Sequence, residues 1–305
     1  MLRIVYCGCD YYANCLEYLT SNKGVKVEKF FAGGDKSVCH RALAVAKEKG
    51  VSATFKPISA RDVRRLFDEE NCDYILSAGY PYKIPIGSYR GINVHPTLLP
   101  VGRGAWPFPR IILDGYSESG VTLHKLTDQF VAGDVVLQER FPLAKNETLD
   151  SLHCKNQGLG LELVKVWVAN HATLWNEATP QGDGEYWKRP SREDRTIHFS
   201  DDAERVERTI RAFGSEGVFI NVGGKTFLSR NASVQFGLHD YEPGQTVYLT
   251  GDWLAVAVAG GILWAGFDEI KPLGLRQRIK RRVMGLTRFS FATSLIARLS
   301  IMQRS

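Results

Sequence analysis

No apolar stretch in this 305-residue chain is long enough to cross a bilayer: the longest uncharged run, Trp253 to Phe267, contains Gly260-Gly261 and falls short of the ~20 residues a spanning helix needs. The opening Met1-Leu2-Arg3-Ile4-Val5-Tyr6 passes straight into a strand pattern and lacks the apolar region and cleavage site of a secretory signal. Cysteines Cys7, Cys9, Cys15, Cys39, Cys72 and Cys154 show no C-x-x-C spacing, which argues against structural zinc. Cys7-x-Cys9 falls where a first strand should end, so buried free thiols are expected, and these fit a reducing, cytoplasmic compartment. After Gly8 the chain reads Cys9-Asp10-Tyr11 with no further glycine, so neither a dinucleotide fingerprint nor a Gly-rich phosphate cradle is present. Acidic residues are absent from 274–305, which carries eight Lys/Arg, so the net charge of +6 becomes −2 over residues 1–273. The basicity is a tail.

What is present is an ordinary globular composition, 44% apolar and 24% charged, with length for about two domains. Residues 2 to 7 read as a buried strand, and Asp10 to Thr20 as a helix with Asp10 as its N-cap. Val25 to Ala32, Ala53 to Pro57, Tyr74 to Ser77 and Gly91 to His95 read as strands, with helices over Val38 to Lys49 and Ala60 to Glu70 between them. That alternation argues for a parallel, helix-covered, Rossmann-like sheet. Gly158 to Thr173 is a helical pattern, and Gln181-Gly182-Asp183-Gly184 punctuates a linker. Beyond it, a helix over Asp201 to Phe213 and short strands at Val218 to Val222, Thr246 to Leu249 and Leu254 to Val258 suggest a small β-barrel.

Asn93-Val94-His95, followed by Pro96-Thr97-Leu98-Leu99-Pro100, sets an amide donor and an imidazole two residues apart. In a strand such residues share a face, so both can converge on one reacting atom. Pro96 keeps His95 extended. The pair falls at a strand's carboxyl end, where open α/β sheets bind ligands. Taken alone, the triplet reads first as a strand end entering a proline turn, and it is the surrounding pattern that points to chemistry.

The wider pattern resembles the folate-dependent formyltransferases: Asn93-x-His95-Pro96-x-Leu98-Leu99-Pro100, then Arg103-Gly104, Pro107, Gly115, Gly120-Val121-Thr122-x-His124 and Ala132-Gly133-Asp134-Val135-Val136-x-Gln138. The opening Arg3-Ile4-Val5-x-x-Gly8 and the C-terminal unit are similar to the methionyl-tRNA and UDP-amino-arabinose members. The resemblance implies an α/β class fold, with a Rossmann-like, mostly parallel N-terminal catalytic domain over 1–185 and a small OB-like β-barrel over 195–273. The basic tail, 274–305, lies outside it. It further implies formyl transfer from 10-formyltetrahydrofolate, a cosubstrate, to a primary amine. Asn93 would donate to the developing oxyanion and His95 would add positive charge or shuttle the proton.

The family's third catalytic residue is an aspartate whose place here is taken by Val131. Asp134 or Asp128 on the same loop is the candidate replacement, with Asp134 expected in the catalytic set; the alternative is a protein that binds folate without turnover. Ser77 to Pro85 resembles the pterin-holding loop, so Tyr82, Lys83 and Ile84, with Val131, are the expected cofactor contacts. His124 is expected to support the His95 region, while His40, His153, His171, His198 and His239 match nothing.

For the acceptor, residues 190–271 hold 8 Lys/Arg against 12 Asp/Glu, the wrong sign for a tRNA cradle. Phe31 to Lys36 also lacks a basic insertion. A nucleotide-linked amino sugar is therefore favoured over methionyl-tRNA, with Arg103, Arg110 and Lys188-Arg189 as diphosphate candidates. In the tail, Leu275, Ile279, Val283 and Leu286 form one helical stripe among arginines, which suggests peripheral contact with an anionic membrane surface; a solvated tail and an RNA contact stay open. Oligomeric state is not readable.

Overall fold

The computed structural model describes residues 1–267. β1 (Leu2–Gly8) is buried along most of its length, as a strand covered on both faces must be. On one side it pairs with β2 (Val25–Ala32), which pairs with β3 (Ala53–Thr54); on the other it pairs with β4 (Tyr74–Ala78), which pairs with β5 (Gly91–His95). All these pairs are parallel. β6 (Glu118–Lys125) and β7 (Val135–Pro142) then add antiparallel, giving the order β3-β2-β1-β4-β5-β6-β7. The chain reverses its direction of growth between β1 and β4, and the crevice outside the carboxyl ends there is the expected ligand position.

Helices α1 (Ala13–Ser21), α2 (His40–Glu48), α3 (Ala60–Arg64) and α4 (Phe108–Leu113) connect the strands. Asp10 does not cap the helix that follows it. α1 has no side-chain cap, and the Asp10 carboxylate instead accepts the Ala42 N–H of α2 at 2.8 Å. The cap is thus tertiary, tying the β1 exit to the next helix. α5 (Leu149–Asn176) begins earlier than its apolar pattern, because Thr148 and Ser151 cap each other's backbone N–H groups. It lays Leu163, Val164 and Trp167 on the sheet.

In the C-terminal region, β8 (Thr196–Ile197) precedes α6 (Ala203–Phe213), whose N-cap Asp202 accepts the Arg205 N–H at 2.7 Å. β9 (Val218–Val222) and β10 (Lys225–Ser229) complete a three-stranded sheet with β8. β11 (Asn231–Phe236), β12 (Thr246–Leu249), β13 (Trp253–Val258) and β14 (Gly261–Gly266) form a four-stranded antiparallel sheet in the order β11-β14-β13-β12. The β-rich unit is therefore built as two sheets around α6. Val206 and Phe213 of α6 and Leu254 and Val256 of β13 share one core with Phe108, Ile112, Leu149 and Trp187 of the N-terminal part, and the described residues pack as one compact unit. The basic stripe of 274–305 lies outside the described residues.

Candidate active site

β5 ends at His95, and the turn behind it is pinned from the neighbouring antiparallel strands. The Thr122 hydroxyl donates to the Thr97 carbonyl at 2.6 Å and accepts the Leu99 N–H at 3.1 Å. Gln138 donates to the Leu99 carbonyl and to the Thr122 hydroxyl. The spaced Thr122 and Gln138 of the sequence pattern thus hold the proline turn against β6 and β7.

Beyond the turn, Arg103 gathers the linker. Its guanidinium donates to the Gln181 side chain at 3.0 Å and the Gly182 carbonyl at 2.7 Å, and its own carbonyl accepts the Trp187 N–H at 2.6 Å. Gly104, at φ +145°, leaves no room for a Cβ against the Trp187 carbonyl. The linker is therefore a wall of the site, and it brings Arg189 to the rim.

A cavity of about 520 Å³ opens at the carboxyl ends of β1, β4 and β5. Asn93, His95, Tyr82, Lys83, Ile84 and Val131 all line it, so six of the seven residues anticipated for the site converge there. His124, Trp106, Phe108, His153 and Arg189 line it as well. His153, on α5, packs edge-on to Phe108 with ring centroids 4.5 Å apart and to Tyr11 at 5.0 Å. His153 carried no motif, because it reaches the site only through long-range packing, whereas Arg189 is one of the diphosphate candidates of the sequence. Arg189 lies over the Trp106 ring at 5.6 Å.

Asp134 is the exception. Its carboxylate pairs with Lys125 Nζ at 3.1 Å, and it is not among the cavity's lining residues. The cause is local: the Lys125 N–H donates to the Asp134 carbonyl, and a Cβ on Gly133 would strike the Lys125 carbonyl, so the chain crosses tightly there with the carboxylate turned to Lys125. Asp128 does not line the cavity either, and among the described residues lining it there is no Asp or Glu. Among the described lining residues, Lys83 and Arg189 carry the permanent charges.

Val131 occupies the loop position facing the cavity at φ +54°, with only 6% of its surface exposed. A β-branched residue in the left-handed region is strained by about 1–3 kcal/mol. Asp and Asn tolerate that backbone more readily.

His95 is 3% exposed. One ring nitrogen, Nε2, lies 2.9 Å from the Gly102 carbonyl, which can only accept, so Nε2 carries the hydrogen and Nδ1 the lone pair. Burial depresses the imidazole pKa to about 4, leaving the ring neutral near pH 7. His124 hydrogen-bonds Asn93: the Asn93 amide nitrogen is 3.0 Å from His124 Nε2. Of the diphosphate candidates, Arg103 is committed to the linker, and Arg110 pairs with Asp114 at 3.0 Å and Glu185 at 3.5 Å.

Residues 34–164 match the family described as formyl transferase, and residues 190–292 match its C-terminal domain. The methionyl-tRNA formyltransferase of Marinobacter nauticus is 27% identical over 280 residues, covering 86% of this chain and 89% of that one. Among solved structures, the N-formyltransferase of Helicobacter canadensis, in complex with folinic acid and dTDP-3-aminofucose, aligns at TM-score 0.64 and 18% identity over 88% of this chain and all of that one. HypX of Aquifex aeolicus, in complex with tetrahydrofolic acid, aligns at TM-score 0.63 and 19% identity over 87% of this chain, which spans 43% of that longer one. At these identities the structural likeness is one of fold. With both family domains matched in order along the chain, this protein belongs to the folate-dependent formyltransferases.

Proposed function

We propose that the chain transfers a formyl group from 10-formyltetrahydrofolate to the primary amine of a nucleotide-linked sugar. The observation that carries the reading is the pairing of Asn93 and His95 on one strand end inside a cavity whose fixed charges are both positive. When bound, 10-formyltetrahydrofolate supplies the formyl carbon that the amine attacks. The Tyr82-Lys83-Ile84 segment and Val131 form the wall suited to the pterin, and Lys83 suits an anionic group. Asn93 has one amide hydrogen directed at His124 and a second left for an acyl oxygen as negative charge gathers on it; such a donor is worth roughly 10²–10³ in turnover. His95 offers the Nδ1 lone pair to the proton shed by the attacking nitrogen and returns it to the folate nitrogen as the bond from that nitrogen to the formyl carbon breaks, with its ring held by Gly102. Apolar walls, Val131 among them, keep water from the same carbon.

The sugar is favoured on charge. Residues 190–271 carry 8 Lys/Arg against 12 Asp/Glu, unfavourable for a polyanionic tRNA, whereas a diphosphate needs only a cation such as Arg189 at the rim. The kinship to the Marinobacter nauticus enzyme keeps initiator methionyl-tRNA as the rival acceptor. Incubation with 10-formyltetrahydrofolate and, separately, dTDP- and UDP-amino sugars or charged initiator tRNA, read by product mass, tests the choice. A formylated sugar is expected; formylated tRNA alone reverses it, and folate binding without turnover of any acceptor defeats the catalytic reading.

A further inference from the structure

Asn93 and His124 are direct partners in the antiparallel register of β5 and β6. The His124 ring is 2% exposed, and its two nitrogens have different neighbours: Nδ1 is 2.9 Å from the Lys125 carbonyl, and Nε2 is 3.0 Å from the Asn93 amide nitrogen. A carbonyl accepts and never donates, so the hydrogen on His124 must sit on Nδ1. In a neutral ring that leaves Nε2 with the lone pair, which only a donor can satisfy, and of the two ends of the Asn93 carboxamide only the nitrogen donates. The carboxamide of Asn93 is thereby obliged to turn its nitrogen toward His124. The opposite rotamer would set the amide oxygen against the Nε2 lone pair, two acceptors facing each other in a dry interior. Burial first, then the positions of His95 and Arg103, hold the His124 pKa down to about 3, so the ring stays in this tautomer across the working pH range.

We propose that His124 is a positioning residue: through the chain Lys125 C=O, His124 Nδ1–H, His124 Nε2, Asn93 Nδ2–H, it fixes which end of the Asn93 carboxamide serves the reacting centre. Because the nitrogen carries two hydrogens, one holds the bond to His124 and the other stays available as a donor. The catalytic importance of that donor rests on the formyl-transfer reading; the orientation itself does not. His124 touches no reacting atom in this scheme. It acts as the outer hydrogen-bond partners of other polar sites do, by selecting a tautomer and a direction.

Two measurements test it. In the uniformly ¹⁵N-labelled full-length protein, the N–H···N bond should give a scalar coupling between Asn93 Nδ2 and His124 Nε2, with His124 nitrogen shifts of the Nδ1–H tautomer. The second measurement compares His124→Gln, which offers a carbonyl to accept the same N–H, with His124→Leu, which offers nothing. The leucine variant should lose roughly 10²-fold in kcat, the loss of an aligned donor, while its dissociation constant for tetrahydrofolate moves less than about threefold. The glutamine variant should recover most of that loss. Coupling absent with Nε2 protonated, or a folded leucine variant with undiminished kcat, overturns the proposal. If neither wild type nor variants turn over any acceptor, the formyl-transfer reading fails and the coupling alone decides the orientation.

Discussion

His95 and His124 face each other across β5 and β6 with ring centroids 6.1 Å apart and a 75° tilt between the rings, both buried and both neutral. Each has a folded-state pKa below the ordinary histidine value of 6.5. In acid the unfolded chain therefore takes up protons that the folded protein refuses, and stability must fall as pH drops below about 6.5 and continue falling toward about 4. Between those limits each histidine contributes about 1.4 kcal/mol per pH unit. Urea unfolding should show losses of about 2–4 kcal/mol between pH 6.5 and 5, and His124→Gln should shrink the slope. A flat profile over this window would contradict the burial of uncharged rings.

Val131 places a strained apolar residue where a carboxylate could stand. Val131→Asp puts an acid at a backbone the new residue tolerates, in the same cavity as the His95 imidazole, where the described lining residues include no Asp or Glu. Turnover should rise tenfold or more, and the acid limb of the rate profile should move up as the carboxylate favours the charged ring. Unchanged turnover and an unmoved limb would show that His95 does not need such a partner.

Asp134 is held by Lys125 on the side away from the cavity, an ion pair at 3.1 Å with the carboxylate 41% exposed. Asp134→Asn should leave kcat within about threefold and cost under about 1 kcal/mol of stability, as expected for a partly exposed pair. A loss of kcat by two orders of magnitude would bring Asp134 back as the catalytic carboxylate.

Arg103 fastens the linker to the turn after β5 with a fork of donors. Lysine cannot reproduce that planar geometry, so Arg103→Lys should loosen residues 181–187 at a cost of about 1.5–3 kcal/mol. Faster cleavage by a nonspecific protease, mapped by mass spectrometry to 181–187, checks this. Protection equal to wild type would free Arg103 for the phosphate role suggested by sequence.

The alternation of strands and helices was legible because apolar runs of β length are separated by polar helical periods: Gly91–His95, Val218–Val222 and Thr246–Leu249 fall at their expected boundaries. Site residues near one another in sequence, Asn93 with His95 and Tyr82 through Ile84, were legible for the same local reason. What escaped is tertiary. Asp10 looks like a cap for the helix beside it but serves α2, and the Thr148–Ser151 pair lacks the Glu or Gln that usually marks a capping box. His153 enters the cavity from α5 with no spacing rule to announce it, whereas Arg189, a diphosphate candidate in the sequence, enters from the linker. The direction of the Asp134 carboxylate depends on a backbone crossing at Gly133 that composition does not reveal.

The most direct test of the account is a single-turnover assay of Asn93→Ala and His95→Gln beside wild type, with 10-formyltetrahydrofolate in excess and the amino-sugar acceptor identified by product mass. The account predicts that wild type yields N-formylated acceptor and that each variant loses at least roughly 10²-fold in rate while still binding folate. Wild-type product with either variant undiminished would contradict it.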